Sequence, residues 1–417
     1  MPVPKQNTDF FREKRDPAAW KHAIVGGYLR NALPVLLQRP GTDVVYADLY
    51  AGAGRYDDGT PGSPMIAAEL AAARYAKGVP PFIRCFNVER DPKVFARLKQ
   101  ATSTISGDII TNFCGEWQDY APQLAEQIKG RTSVIFLDPF GLDLDFDDLA
   151  PFAREVGPEA RELIVRLPVF DIRRQVEANA QQYAVREEAA VYGGDIGMPW
   201  KNYESRLTAL LGGRWWQDLL VDGHLSESAF PDLAEGYCEQ LRSLRPVLRN
   251  PRRALAVPIP KVLGGTPFYY LVFLTRSPRA VAIYSDAVEA ASEDAWSIQE
   301  QLTKPQSDFR ESQLTLLDAP QSAHLDTYTA RRDFFLSTLK RDVQEFVTRR
   351  PWGATFSEVH ETMALAHVGQ FREKHLRAVI AQLRDVDGEV VTDTPAIRRN
   401  TRISRRPQDE GARARNA

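Results

Sequence analysis

The chain has 417 residues, enough for more than one domain at about 100–200 residues each, and its formal net charge of −2 at pH 7 leaves nucleic-acid binding to a local basic surface. Its three cysteines, Cys85, Cys114 and Cys238, stand singly, which argues against a disulfide framework or a zinc site and favours a reducing cytoplasm. No apolar leader and no run of about 18 apolar residues is present, so we expect neither export nor a membrane span.

The first predicted helix begins at Pro17, and its apolar face includes Trp20 and Leu29. Lys21 and His22 lie on the same helix. Because this helix leads into the first strand, it can cover a cleft at the edge of the sheet. We therefore take Lys21 and His22 as candidate substrate-binding residues, with a solvent-exposed position as the alternative.

The first strand, predicted over 43–50, leads into the sequence Asp48-Leu49-Tyr50-Ala51-Gly52-Ala53-Gly54. Its glycines predict a tight turn whose backbone can touch a ligand. A dinucleotide fingerprint would place a third glycine where Asp57 stands, which disfavours a nicotinamide dehydrogenase. An acid before a small-residue turn is typical of S-adenosylmethionine (SAM) sites, and an ordinary strand-to-loop turn is the alternative. The cofactor candidates here are Asp48, Tyr50, Gly52 and Gly54.

The connection over 55–64 is longer than the about 2–6 residues usual between a strand and a helix, and long loops at this edge often carry function. It contains two candidate substrate-binding residues, Tyr56 and Ser63. Ser63 is also the predicted N-cap of an alanine-rich helix over 65–76, with Pro64 in its first turn.

Two further strands end beside polar residues. The strand over 83–89 ends at Glu89, a carboxylate placed to accept both ribose hydroxyls of a cofactor, unless it serves as a charge at the start of the next helix. The strand over 109–114 is followed by Glu116 and Trp117, which we assign to the adenine amino group and the adenine ring. Arg90 completes the set of cofactor candidates.

An almost wholly apolar strand over 133–137 precedes Asp138-Pro139-Phe140-Gly141. In amino-group methyltransferases a [DN]-P-P-[FYW] loop accepts hydrogen bonds from the target amine and stacks the target on its aromatic ring. Here Phe140 replaces the second proline and Gly141 the aromatic residue. We expect Asp138 to position the acceptor, Pro139 to fix the loop and Phe140 to stack, so that catalysis is mostly positioning.

The remaining elements complete the predicted fold. A fifth strand over 161–168, a helical insertion at about 171–250, and an antiparallel pair over 254–258 and 268–275 follow. The insertion is either a target-recognition lid or a packed helical subdomain. Together these elements predict an α/β, Rossmann-like class I methyltransferase fold, a parallel sheet with an antiparallel C-terminal hairpin.

We assign residues 1–325 to this domain and 326–417 to a winged helix-turn-helix with a basic tail. Arg372, Lys374 and Arg377 would lie on the recognition helix and contact nucleic acid. The tail arginines, which would bind phosphates, are Arg398, Arg399, Arg402, Arg405 and Arg406. A protein-docking role for this module is the alternative.

The motifs over 48–54 and 137–141, with Gly62-Ser63-Pro64 and a preceding helix carrying Lys21-His22 and Tyr28-Leu29, resemble the three-Cys-motif partner (TcmP) family. That family is similar to class I SAM-dependent methyltransferases and is encoded beside a protein bearing the three cysteines. The likeness covers residues 16–170 firmly. Separately, the loop over 138–141 is similar to that of tRNA guanine-N2 dimethyltransferases.

The resemblance implies SAM as cofactor and a three-Cys-motif protein as partner. We therefore expect a methyltransferase that acts on an amino group of DNA or RNA, with a small molecule or a protein as other acceptors. The alternative is a non-catalytic protein that keeps a degenerate methyltransferase fold, binds nucleic acid and recruits its partner. Retention of both Asp48 and Glu89 argues against degeneracy.

Overall fold

The computed structural model describes residues 17–38, 43–78, 80–105, 109–155, 161–191, 201–244, 253–261, 264–303 and 328–406. These residues divide into two compact units, one ending at Ser277 and the other beginning at Pro278. No helix in these ranges is both long enough and apolar enough to span a membrane.

The N-terminal unit is built on a seven-stranded sheet flanked by helices. Its strands are β1 (Val44–Asp48), β2 (Ile83–Glu89), β3 (Ile110–Cys114), β4 (Ser133–Leu137), β5 (Arg161–Leu167), β6 (Arg253–Pro260) and β7 (Pro267–Thr275). Its helices are α1 (Pro17–Leu36), α2 (Ser63–Tyr75), α3 (Pro92–Thr102), α4 (Trp117–Ile128), α5 (Phe146–Glu155), α6 (Val169–Val191), α7 (Lys201–Leu211) and α8 (Phe230–Ser243).

The strand order is β3-β2-β1-β4-β5-β7-β6. The first five strands pair in parallel, and β7 runs antiparallel to both β5 and β6. This arrangement is the predicted Rossmann-like class I methyltransferase fold, with its closing antiparallel hairpin. The order reverses between β1 and β4, and ligands of such sheets bind outside the carboxyl ends of the strands at that point.

Burial explains why β1 and β4 form the centre of the sheet. Every residue of both strands is buried, because helices cover the two faces of a parallel sheet. Asp48, the last residue of β1, is the one acidic side chain in these two strands. The fold therefore places this carboxylate at the sheet edge where ligands bind.

The helical insertion packs into the core of the N-terminal unit. Helices α6, α7 and α8, with two 3₁₀ turns at Trp215–Leu219 and Glu227–Ala229, lie between β5 and β6 in the chain. Their buried apolar side chains join the same cluster as those of the sheet, among them Leu207, Leu210, Trp216, Phe230 and Tyr237. The described part of the insertion is therefore a packed helical subdomain rather than a target-recognition lid.

The described residues of the C-terminal unit form four helices and a three-stranded antiparallel sheet of order β8-β10-β9. Its elements are α9 (Pro278–Thr303), α10 (Tyr328–Thr348), β8 (Ala354–Thr355), α11 (Phe356–Ala366), α12 (Glu373–Asp385), β9 (Val390–Thr392) and β10 (Arg402–Arg405). Thr355 caps α11 by accepting from Glu358 N at 3.2 Å.

The boundary between the units falls earlier than the predicted division at 325/326. Helix α9 packs against α11 and α10, so it belongs to the C-terminal unit. The remaining elements follow in the order that the sequence predicts for a helix-turn-helix with a β-ribbon. Its identity as a winged helix stays a prediction.

Candidate cofactor and acceptor site

The turn after β1 has the backbone conformation that its glycines predict. Gly52 and Gly54 have φ of +63° and +78°, in the left-handed region that only glycine occupies without strain. A Cβ on Gly54 would lie 3.1 Å from Leu98 Cδ1, whereas a Cβ on Gly52 would meet nothing within 4 Å. The turn is therefore in contact with neighbouring side chains at Gly54, and it has free space beside it at Gly52.

Asp48 is a fully buried carboxylate at the base of this turn. Its Oδ2 accepts hydrogen bonds from Ser63 Oγ at 2.6 Å and Tyr46 OH at 3.2 Å, and Oδ1 accepts from Tyr50 N at 3.3 Å. Burial raises the pKa of Asp48 to about 6, and the charge of Asp138 adds to the rise although the hydrogen bonds oppose it. A cationic ligand group here would favour the ionised form.

Ser63 therefore has a different role from the predicted N-cap. Gly62 occupies the N-cap position of α2, and Ser63 is the first helical residue. Its hydroxyl donates to Asp48 instead of capping the helix. The prediction was wrong by one residue, and the helix start serves to satisfy the buried acid.

Glu89 links β2 to the glycine turn. Its Oε2 accepts from Gly52 N at 2.9 Å, and its Oε1 accepts from Asp91 N at 2.8 Å. A carboxylate offers about four acceptor positions, so both oxygens retain capacity for a further donor. Glu89 thus holds the turn in place and leaves acceptor sites at the edge of the sheet.

Trp117 does not take the predicted place beside an adenine ring. Only 2% of it is exposed, because it lies on the apolar face of α4 within the hydrophobic core. Its Nε1 donates to Tyr50 OH at 3.1 Å, and Tyr50 OH donates to Asp143 O at 2.5 Å. Arg90 contacts Asp143 and lies 3.7 Å from Glu116 Oε1 at the surface. Tyr50 and Arg90 thus bind the loop after β4 to the turn after β1.

Asp138, at the end of β4, forms an ion pair with Lys21 of α1 through Oδ2. Arg166 Nε lies 3.8 Å from Oδ1, which accepts no hydrogen bond from any residue that the structure describes. Burial alone would raise the pKa of Asp138, but the charges of Lys21 and Arg166 outweigh it and lower the pKa. Asp138 is therefore an anion with one oxygen available to a donor.

The rest of the predicted acceptor loop is held by Arg166. Arg166 Nη1 donates to Pro139 O at 2.9 Å, and its guanidinium lies 4.9 Å from the centroid of the Tyr269 ring. Phe140 is 84% exposed, and Gly141 has a φ of +59°. The loop thus presents an aromatic ring to solvent from a fixed backbone.

A cavity of about 250 Å³ joins the turn, the following loop and the acceptor loop. It brings together predicted residues from four separate segments, namely His22, Tyr50, Gly52, Gly54, Tyr56, Ser63 and Asp138. His22 and Tyr56 lie side by side in it, with Nε2 and OH 3.5 Å apart. These seven predicted residues therefore border one space, whereas its lining does not include the cofactor candidates Asp48, Glu89, Arg90, Glu116 and Trp117.

Sequence reasoning missed Arg166 and Arg97. Arg166 is the last residue but one of β5, at the sheet edge where Asp48 and Glu89 end β1 and β2, and this position is the signal that identifies it. Arg97 of α3 also borders the cavity and pairs with Asp57 at 2.6 Å.

The residues predicted to bind nucleic acid, at the start of α12 in the C-terminal unit, all form ion pairs with carboxylates. Arg372 Nη1 and Lys374 Nζ both contact Glu293 of α9, at 2.8 and 2.7 Å. Arg377 pairs with Glu373 on its own helix. These side chains are therefore engaged in ion pairs.

No family model and no curated protein matches the chain. Solved structures that match include protein LPL1258 from Legionella pneumophila, with 11% identity over 68% of this chain and 92% of that one, at a TM-score of 0.36. The O-methyltransferase TomG from Streptomyces achromogenes, solved with SAM, matches at 13% identity over 60% and 77% of the chains, with a TM-score of 0.28.

Protein PH0793 from Pyrococcus horikoshii matches at 10% identity with a TM-score of 0.27. The match covers 60% of this chain and 63% of that one, so this chain spans less than two thirds of its length. The fold assignment accordingly rests on the strand order and pairing of the chain itself.

Proposed function

We propose that the chain is a SAM-dependent methyltransferase whose cofactor binds at the turn after β1. The observation that carries the proposal is one cavity bordered by Gly52, Ser63 and Asp138, with the buried Asp48 carboxylate bonded to Ser63 and Glu89 bonded to the Gly52 amide. The residues fit such a ligand, because Asp48 suits an ammonium group and Glu89 has acceptor capacity for hydroxyls.

The residues assigned to the cofactor are Asp48, Gly52, Gly54 and Glu89, with Glu116 at the adenine end. SAM supplies an electrophilic methyl group. The chain's own residues position the reacting groups. The hydrogen bond from the Gly52 amide to Glu89 fixes the turn, and Lys21 of α1 contacts Asp138.

The acceptor in this proposal is an amino group. Asp138 borders the cavity, and its buried Oδ1 accepts no hydrogen bond from a described residue and can accept one from an N–H of the acceptor. Because the pKa of Asp138 is lowered, this carboxylate orients the amine better than it removes a proton. The exposed ring of Phe140 provides a stacking surface for a flat target.

A base of a nucleic acid combines a flat ring with an exocyclic amine, and we propose it as the substrate class. A three-Cys-motif protein encoded nearby is the proposed partner, on the basis of the TcmP resemblance. The proposed setting is the cytoplasm.

The test is transfer of radiolabel from methyl-labelled SAM to the nucleic-acid and protein fractions of a cell extract, with and without the three-Cys partner. Label in nucleic acid, recovered as an N-methylated nucleoside and lost with Asp138→Ala, supports the proposal. Label in protein alone overturns the substrate class. Absence of label everywhere, with SAM bound, leaves the partner-recruiting alternative.

A further inference from the structure

In the C-terminal unit, carboxylates already occupy the donors at the start of α12 that a phosphate would use. Glu373 N donates to Asp286 Oδ1 of α9 at 2.8 Å, so an acid already caps this helix. Glu293 of α9 lies against Arg372 and Lys374. A phosphate that approached this end would compete with two carboxylates for the same donors.

The β-ribbon of this unit, unlike the start of α12, carries arginines that are not paired with carboxylates of described residues. Arg405 and Arg406, at the end of β10, contact no carboxylate of a described residue. Both border a cavity of about 330 Å³ with Gln344 and Glu389. Glu389 accepts from the Gln344 amide, so the one carboxylate among these lining residues is already engaged.

An exposed tryptophan lies at the other end of β10. Trp352 is 84% exposed, and its carbonyl accepts from Arg402 Nε at 2.7 Å. The turn that presents it is closely packed, because Gly353 has a φ of +70° and a Cβ there would lie 2.6 Å from Ile403 O. Large indoles are seldom left this exposed, and the backbone of this one is bonded to a cation.

We propose that Trp352, Arg402, Arg405 and Arg406, here called the wing surface, bind single-stranded nucleic acid. Arg402 and Arg406 are four residues apart, so alternation along the strand places both on one face, about 13 Å apart at roughly 3.3 Å per residue. Aromatic side chains that stack bases beside cations that track the backbone are the usual means of binding unpaired strands. The inference deepens the proposed function, since it names the polymer that would carry the acceptor base.

The test measures fluorescence anisotropy of a labelled single-stranded oligonucleotide and of its duplex, titrated with the full chain in the absence of SAM. We expect the single strand to bind more tightly than the duplex. Trp352→Ala should weaken single-strand binding by about tenfold, because one stacking platform is lost. Arg405→Ala with Arg406→Ala should weaken it more and flatten its salt dependence between about 50 and 200 mM.

The matched control is Arg372→Ala with Lys374→Ala, which removes the same net charge from α12. It should bind the oligonucleotide as the wild type does. If this control loses binding while the wing variants keep it, α12 is the contact surface and the proposal is wrong. If the wild type binds neither oligonucleotide, the unit is a protein-docking module and the proposal is equally wrong. Because SAM is omitted, either result is independent of the cofactor site, which methyl transfer tests separately.

Discussion

Lys21 Nζ contacts Asp138 Oδ2, and this ion pair joins α1 to the end of β4 across 117 residues of the chain. Lys21 is buried, so the pair is shielded from water and its charges interact more strongly than on a surface. The contact occupies one oxygen of Asp138, a residue that borders the cavity, and leaves the other without a donor among the described residues. In our account Lys21 is a positioning residue for the acceptor loop.

We predict that Lys21→Met slows methyl transfer at least tenfold while SAM affinity changes little. Loss of the cation raises the pKa of Asp138, so the acidic limb of the pH–rate profile should move to higher pH. Lys21→Arg, which keeps the charge, should restore the profile. A profile unchanged in Lys21→Met would contradict the positioning role.

Replacement of Asp138 itself should separate acceptor binding from cofactor binding. Asp138→Ala should reduce turnover by about two orders of magnitude with little change in SAM affinity, comparable to losing a well-placed polar group. Steady-state kinetics and calorimetry measure the two effects. Loss of SAM binding in this variant would show that the loop belongs to the cofactor site.

Phe140→Ala should act differently from the Asp138 variant. Because stacking holds the substrate in both ground and transition states, the substitution should raise the acceptor KM more than it lowers kcat. The ring is exposed, so protein stability should hardly change. A fall in kcat at constant KM would argue against a stacking role.

Asp48 should make the protein less stable as pH rises. Its pKa in the folded protein is about 6 against an ordinary 3.8, so the folded state holds a proton that the unfolded state releases in this interval. The unfolding free energy of the wild type should therefore fall by roughly 2.4 kcal/mol, relative to Asp48→Asn, between about pH 4 and pH 7. Denaturant unfolding of both proteins measures this difference.

The same carboxylate links pH to cofactor affinity. SAM affinity of the wild type should weaken as pH falls below about 6, because a protonated Asp48 no longer attracts an ammonium group. Asp48→Asn should bind SAM weakly at every pH. A wild-type affinity that stays constant from about pH 7 to pH 5 would exclude Asp48 as the ammonium partner.

The two glycines of the turn offer a matched pair of substitutions. Both alanines incur backbone strain of roughly 1–2 kcal/mol, since both φ angles are left-handed. Gly54→Ala should cost further stability through its contact with Leu98, whereas Gly52→Ala directs its methyl into open space. We expect Gly52→Ala to lose SAM affinity and Gly54→Ala to lose more stability, as thermal unfolding would show.

The sequence predicted those parts of the fold and site that depend on local pattern. Acids and glycines at strand ends marked Asp48, Gly52, Glu89 and Asp138, because a parallel sheet gathers its carboxyl ends at one edge. Trp117 was wrongly assigned to the adenine ring, because the sequence pattern of α4 does not show which face of the helix packs against the core.

Long-range contacts were harder to predict than strand ends. The pairing of Arg372 and Lys374 with Glu293 depends on how α9 packs, a contact between residues about 80 positions apart. The sequence placed α9 in the other domain, so the prediction left those cations unpaired. Arg166 was missed because the sequence of its strand does not show that Asp138, on a different strand, is its partner. Only the folded structure brings the two side chains together.

We propose that SAM binds in the cavity beside Gly52, whose amide donates to Glu89. Isothermal titration of the full chain with SAM and with S-adenosylhomocysteine tests it most directly, with Glu89→Ala as the comparison and circular dichroism to confirm folding. We expect one site per chain and a loss of about ten- to hundredfold in affinity for Glu89→Ala, equivalent to one charged hydrogen bond. No heat with either ligand, on folded wild-type protein, would contradict the claim.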